Sequence, residues 1–87
     1  MQRKPLHLGV DNFPRPKTDD DLISRNINSV FKTPNGTAVL KYLRSITIES
    51  VQGPNASDAE LRHLEGQRYL VGLIERRINH GQKVDQQ

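Results

Sequence analysis

The longest run of helical periodicity lies between Ser57 and His80. Leu61, Leu64, Val71, Ile74 and Ile78 recur at three- and four-residue steps, Arg68 interrupts them, and Leu70 and Leu73 widen the stripe. That spacing predicts an amphipathic helix with one buried side, about 33 Å long at 1.5 Å per residue. Its start is marked by Ser57 and Glu60, which have capping-box spacing: the Ser57 hydroxyl can accept from the Glu60 N–H, and the Glu60 carboxylate can reach back. Asp58 and Glu60 suit the positive end of the helix dipole. Arg76, Arg77 and His80 suit the other end, where Gly81 is expected to supply a left-handed cap. Gly66 and Gly72 lie inside the pattern. Each is either a tolerated cost of about 1 kcal/mol against Ala or, at Gly66, a place where a neighbouring helix comes close.

Two shorter helical patterns precede this one. In the first, Thr18 and Asp21 have the spacing of a weaker capping box, Asp19, Asp20 and Asp21 crowd the first turn, and Leu22, Ile23, Ile27, Val30 and Phe31 supply the expected buried side. In the second, Thr33 reads as an N-cap and Pro34 as the first helical residue, where a missing N–H costs nothing. Val39, Leu40, Leu43 and Ile46 follow on one face with Tyr42 beside them, while Lys41 and Arg44 point outward. The β-branched run Ile46-Thr47-Ile48 frays the end. Gly53-Pro54-Asn55 punctuates the connection at residues 49–56. Residues 82–87 read as a polar tail. Residues 1–18 contain Pro5, Pro14 and Pro16 and are expected to form an extended arm without regular structure.

The expected architecture is therefore all-α. It is a small three-helix domain over residues 19–81, with helices near 19–31, 34–47 and 58–80. The second and third form a central helical hairpin, and the first packs across them. An extended N-terminal arm (1–18) and a tail (82–87) flank it. The chain of 87 residues suffices for one modest core. Its hydrophobic content of 33% is low, so part of the chain lies outside the core or is ordered by a partner.

Charge changes the picture by its placement. The net +3 resides in residues 1–18, where Arg3, Lys4, Arg15 and Lys17 face Asp11 alone, and the remainder is balanced. This argues against a basic nucleic-acid-reading face on the domain and leaves those four cations as candidate contacts to phosphate or to an acidic protein surface. The chain has no cysteine, hence no disulfide framework or thiolate metal site. It contains no apolar run long enough for a membrane span and no secretory signal at the N-terminus.

Catalytic chemistry is not visible. His7, His63 and His80 are dispersed and form no H-E-x-x-H pair. Ser57, Thr33 and Thr18 are explained by capping, and neither G-x-S-x-G nor a P-loop occurs. Three consecutive aspartates on a helix point in different directions, so no metal is expected at Asp19–Asp21. No catalytic residue, cofactor or small-molecule substrate is expected, and the chain is not read as an enzyme. Glu65-Gly66-Gln67-Arg68 is the most distinctive interior stretch. Arg68 shares the apolar side of the long helix and needs a carboxylate or carbonyl partner there. Glu65 at i−3 is placed to pair with it, which makes a structural ion pair the favoured reading over a phosphate contact.

Two stretches together resemble a known family: Phe31-x-Thr33-Pro34-x-Gly36-x-x-Val39-Leu40-x-x-Leu43, and Glu65-Gly66-x-Arg68-x-Leu70-Val71-x-x-Ile74. They are similar to a small helical domain from the structural gene region of tailed bacteriophages and prophages, including short-tailed phages of Bordetella. The resemblance spans residues 22–80. It implies a virion-associated or assembly protein without enzyme activity, found in the host cytoplasm during assembly or in the virion, with phage structural proteins or a second copy as partner. Thr33, Pro34, Gly36, Ser57, Glu60, Glu65, Gly66 and Arg68 would then be structural. The other reading is a small nucleic-acid-binding regulator that uses the basic arm; helix–turn–helix proteins are also small and all-α.

Overall fold

A computed structural model describes residues 5–86. Its elements in chain order are β1 (Leu6–Leu8), β2 (Pro14–Pro16), α1 (Lys17–Phe31), α2 (Pro34–Ser45) and α3 (Asp58–Asp85). The helical expectation holds, with a small β-hairpin added.

That hairpin replaces the expected extended arm. β1 and β2 pair antiparallel with Leu6 opposite Pro16, His7 opposite Arg15 and Leu8 opposite Pro14. Prolines at alternate positions remove ladder donors, but a two-stranded edge tolerates this. The turn is held by its own groups. Gly9 N–H donates to Phe13 O, Asn12 N–H donates to Gly9 O, and Phe13 N–H donates to the Asp11 carboxylate. Asn12 sits in the left-handed region at φ 69°, which asparagine tolerates better than most residues. Arg3 and Lys4 lie outside the described residues.

α1 begins one residue before Thr18, and among the described residues no side chain caps it. The other two starts are as expected. Thr33 Oγ1 accepts from Gly36 N–H at 3.0 Å with Pro34 in the first position. Ser57 Oγ accepts from Glu60 N–H at 3.1 Å. α3 does not stop at Gly81. It runs on to Asp85, so residues 82–85 are helix and not tail, and among the described residues no glycine adopts positive φ. Gly81 is instead where α1 crosses α3: a Cβ there would collide with Ser24 O and lie 2.8 Å from Asn28 Cβ. Gly66, the expected crossing point, would meet nothing within 4 Å, and neither would Gly72.

The central pair is α1 with α3, not α2 with α3; most interhelical contact lies between the first and last helices. They run parallel. Asp20 meets Arg77, Ser24 meets Arg77 and Gly81, and Asn28 meets Gly81 and Asp85. α2 returns in the opposite direction. It folds back on the end of α1, where a Cβ at Gly36 would collide with Val30 O and fall 2.7 Å from Phe31 Cα. Its far end reaches α3 at Glu75 and Arg68.

The core is thin. Among the described residues, the buried apolar side chains are Leu64, Val71 and Val84, whereas Asp20, Ser24, Asn28, Thr47 and Arg77 are buried polar ones. Of the expected stripe of α1, Ile23, Ile27 and Phe31 are half-buried, but the fully buried positions are polar. Leu22 and Val30 are exposed, and Asp20, Ser24 and Asn28, about 80° to 160° around the helix from Val30, face α3. On α3, Leu61 and Leu70 are exposed as well. The molecule measures 56 × 31 × 16 Å.

Candidate functional site

The densest assembly of titratable groups is the polar seam between α1, α3 and the hairpin loop. An i, i+4, i+8 series on α1 (Asp20, Ser24, Asn28) lies against Arg77 and Gly81 of α3. The glycine removes the side chain that would hold the helices apart. Arg77 is 3% exposed and sits at the centre. Its Nη1 donates to Asp20 O at 3.1 Å and to Ser24 Oγ at 3.0 Å. Those two bonds use both Nη1 hydrogens, so the contact of Nη1 with Asp20 Oδ1 at 2.6 Å is an ion pair outside hydrogen-bond alignment. Arg77 Nη2 lies 3.4 Å from Asp11 Oδ2 in the hairpin loop. A buried arginine is tolerable only with such pairing, and here one side chain ties three elements together.

Asp11 also accepts from Arg15 Nη1 at 2.5 and 2.6 Å. Chiefly through that bond, the Asp11 carboxyl is lowered to about 2, against a smaller opposing push from burial. The same pairing raises Arg15, whose guanidinium also lies over the Phe13 ring at 5.6 Å. Lys17 donates to Asp21 at 2.7 Å and is the main cause of a lowered Asp21 carboxyl. Thus Arg15 and Lys17, two candidate phosphate contacts, are engaged in ion pairs within their own chain.

Beside Arg77, Ser24 Oγ lies 2.7 Å from His80 Nδ1, and His80 Nε2 lies 3.5 Å from Asp21 Oδ1. Since Oγ accepts from Arg77, its own proton is available to Nδ1. The contact order Ser–His–Asp is that of a hydrolase relay, but Ser24 is fully buried and its oxygen is shared with Arg77. No substrate carbonyl can reach it in this conformation. Asp20, Asp21 and His80 also bring one potential ligand atom each within 4.8 Å of one another. Two of the three aspartates therefore do converge, through a histidine supplied by α3. Asp20 is already neutralised by the guanidinium, which would also repel a cation placed there. The arrangement reads as a structural lock. A buried polar stripe at i+4 spacing facing an arginine and a glycine was its only sequence signal, and such a stripe ordinarily reads as a solvated face.

The Glu65-Gly66-Gln67-Arg68 stretch forms a second lock. Arg68 Nε donates to Thr47 O at 3.0 Å, Nη2 to Ser50 O at 2.6 Å and Nη1 to Glu65 at 2.8 Å. Two of these acceptors are carbonyls just beyond α2, so Arg68 fixes the chain where that helix ends. Arg44 Nη1 adds contacts of 2.6 Å to both Glu75 oxygens. Glu60 caps only through its N–H. His63 is exposed, as its position on the helix surface implies.

No helix among the described residues is long and apolar enough to cross a membrane. A protein-family model described as "Bbp19-like phage protein" matches residues 27–86, which takes in the last third of α1, all of α2 and α3, and both arginine locks on their α3 side. Comparison with curated proteins and with solved structures returned no match.

Proposed function

The chain belongs to the family of Bbp19-like phage proteins, and from that premise we propose that it is a small helical interaction module of a phage particle or of its assembly pathway, not an enzyme. The observation that carries this reading is the distribution of surface. The titratable groups that come together neutralise one another, with Asp20 and Arg77 buried at their centre, while Val39, Tyr42, Ile46, Leu61, Tyr69 and Leu70 are exposed. The Arg77 centre is sealed in and apolar contact area is offered outward, which suits a protein that works by being bound.

The nucleic-acid reading draws less support. It rests on the basic N-terminal segment, and Arg15 and Lys17 there already neutralise Asp11 and Asp21. The test is mass spectrometry of purified particles and of assembly intermediates separated on a gradient. The protein is expected in one of those fractions at a fixed ratio to a structural protein. Its absence from both overturns the proposal. DNA affinity that falls as salt rises, and disappears when residues 1–18 are removed, would favour the regulator instead.

A further inference from the structure

The outward face of α3 carries a row of side chains at a seven-residue repeat. Arg62, Tyr69, Arg76 and Lys83 are all exposed. Seven residues fall only about 20° short of two full turns, so the four lie in line over about 32 Å at 1.5 Å per residue. α1 reaches α3 at Arg77 and Gly81, and α2 reaches it at Arg68 and Glu75. Those contacts lie to either side of the row, about 80° to 120° around the helix from Tyr69. The row is thus turned away from both neighbouring helices.

The acids near the row are engaged within the chain. Glu65 pairs with Arg68, Glu75 with Arg44 and Asp85 with Arg25, while Asp58 and Glu60 lie in the first turn, at the positive end of the helix dipole. Among the described residues, Arg62, Arg76 and Lys83 take part in no ion pair. Arg76 lies over the Tyr69 ring at 5.6 Å. Gly66 and Gly72 flank Tyr69 at i−3 and i+3, and a Cβ at either would meet nothing within 4 Å. Each glycine lowers helix propensity, yet no group of this chain occupies the space it opens. A helix from outside can use that space, because the side chains at a contact set how closely two helix axes approach.

We propose that this face docks an amphipathic helix of another protein, one that carries Asp or Glu at seven-residue intervals and an apolar residue over Tyr69. The unpaired cations select an acidic partner. Their spacing selects a helical one, since acids at heptad positions recur about every 10.5 Å, the interval of the row. A polyanion matches it poorly: duplex DNA presents about 19 charges over the same length against three cations, and the carboxylates of Asp58 and Glu65 lie close to the row. The proposal rests on the assembly reading and deepens it by giving the chemistry of the partner.

The experiment is fluorescence anisotropy of two labelled amphipathic peptides, each four heptads long and alike except for Glu or Lys at every seventh position, titrated with the full chain. Wild type is expected to bind the Glu peptide roughly 10- to 100-fold more tightly than the Lys peptide, as three exposed charge pairs allow, and to lose that margin at high salt. The variant Arg62→Glu/Arg76→Glu/Lys83→Glu is expected to reverse the preference, with circular dichroism as the check on folding. Tyr69→Ala keeps the charges and is expected to weaken the Glu peptide about 10-fold, as for an aromatic anchor; it carries the test if the triple variant loses helix content. A wild type that binds neither peptide or both alike, a reversed variant that keeps the wild-type preference, or a Tyr69→Ala that binds as wild type overturns the proposal. So does binding of a short DNA duplex that disappears in the reversed variant, which would give the face to nucleic acid. If the proposal fails while the protein is found in particles, the assembly reading still stands.

Discussion

The seam between α1 and α3 and the outer stripe of α2 invert the usual arrangement. The seam is buried and polar, built from Asp20, Ser24, Asn28 and Arg77, whereas the stripe is exposed and apolar, built from Val39, Tyr42 and Ile46. A seam of ion pairs contributes directional constraint, since Arg77 meets its partners in one geometry only. An apolar stripe contributes area without direction, and it stays unsatisfied until another surface arrives. The small apolar core of Leu64, Val71 and Val84 makes the locks matter more than they would in a well-filled domain. The contrast teaches that here conformational definition is assigned to charge, and the apolar surface is left for association.

The contrast can be broken most directly at its centre. Arg77→Ala leaves Asp20 buried without a counter-charge and is expected to cost about 3–5 kcal/mol, enough to abolish the cooperative urea transition of so small a domain. Replacing Arg77 and Asp20 together by Met and Leu should recover most of that loss. Failure of the double variant to recover would show that the seam needs its hydrogen bonds to Ser24 and the Asp20 carbonyl and not merely charge balance.

The glycines sharpen the comparison next. Gly81→Ala drives a Cβ into the Ser24 carbonyl and is expected to destabilise by about 1–3 kcal/mol. Gly66→Ala meets open space and should stabilise by up to about 1 kcal/mol through helix propensity alone. Opposite shifts in thermal midpoint for two glycines of one helix would confirm that α1 crosses α3 at Gly81. At the other lock, Arg68→Ala frees the carbonyls of Thr47 and Ser50 from their charged donor. A loss of about 1–3 kcal/mol is expected, with faster amide exchange at the end of α2 as the local signature.

The smallest effect is acid dependence. Asp11 is held down to about 2 in the folded chain, chiefly by Arg15. A depressed carboxyl contributes stability that is fully present above its unfolded pKa and is lost as pH falls through the folded value. Wild type should therefore lose part of its stability between pH 4 and about 2, and Asp11→Asn should show a flatter profile over that window in acid titrations followed by circular dichroism.

Two of the three helix starts were legible in the chain, whereas the cap of α1 and the end of α3 were not. Thr33 with Pro34 and Ser57 with Glu60 start α2 and α3 where their patterns begin, because a cap needs only residues within one turn. Arg68 was legible as a side chain in need of a partner, and Glu65 as one such partner. The carbonyls of Thr47 and Ser50 were not, since backbone acceptors leave no trace in a residue pattern. The hairpin was missed because prolines at alternate positions exclude a central strand but permit an edge pair.

By itself, the sequence determined where helices form and where two of them start, which depend on short-range periodicity and capping; its resemblance to a phage family, and not those patterns, pointed to the family it belongs to. Only the tertiary structure decided which faces meet. α1 turned Asp20, Ser24 and Asn28 inward because Arg77 and Gly81 on α3 offer a charge and a gap at matching heights. α3 ran through Gly81 because Ser24 packs against it there. Amphipathicity states that a helix has two sides, and the side that is buried depends on what another helix, sixty residues away, presents to it.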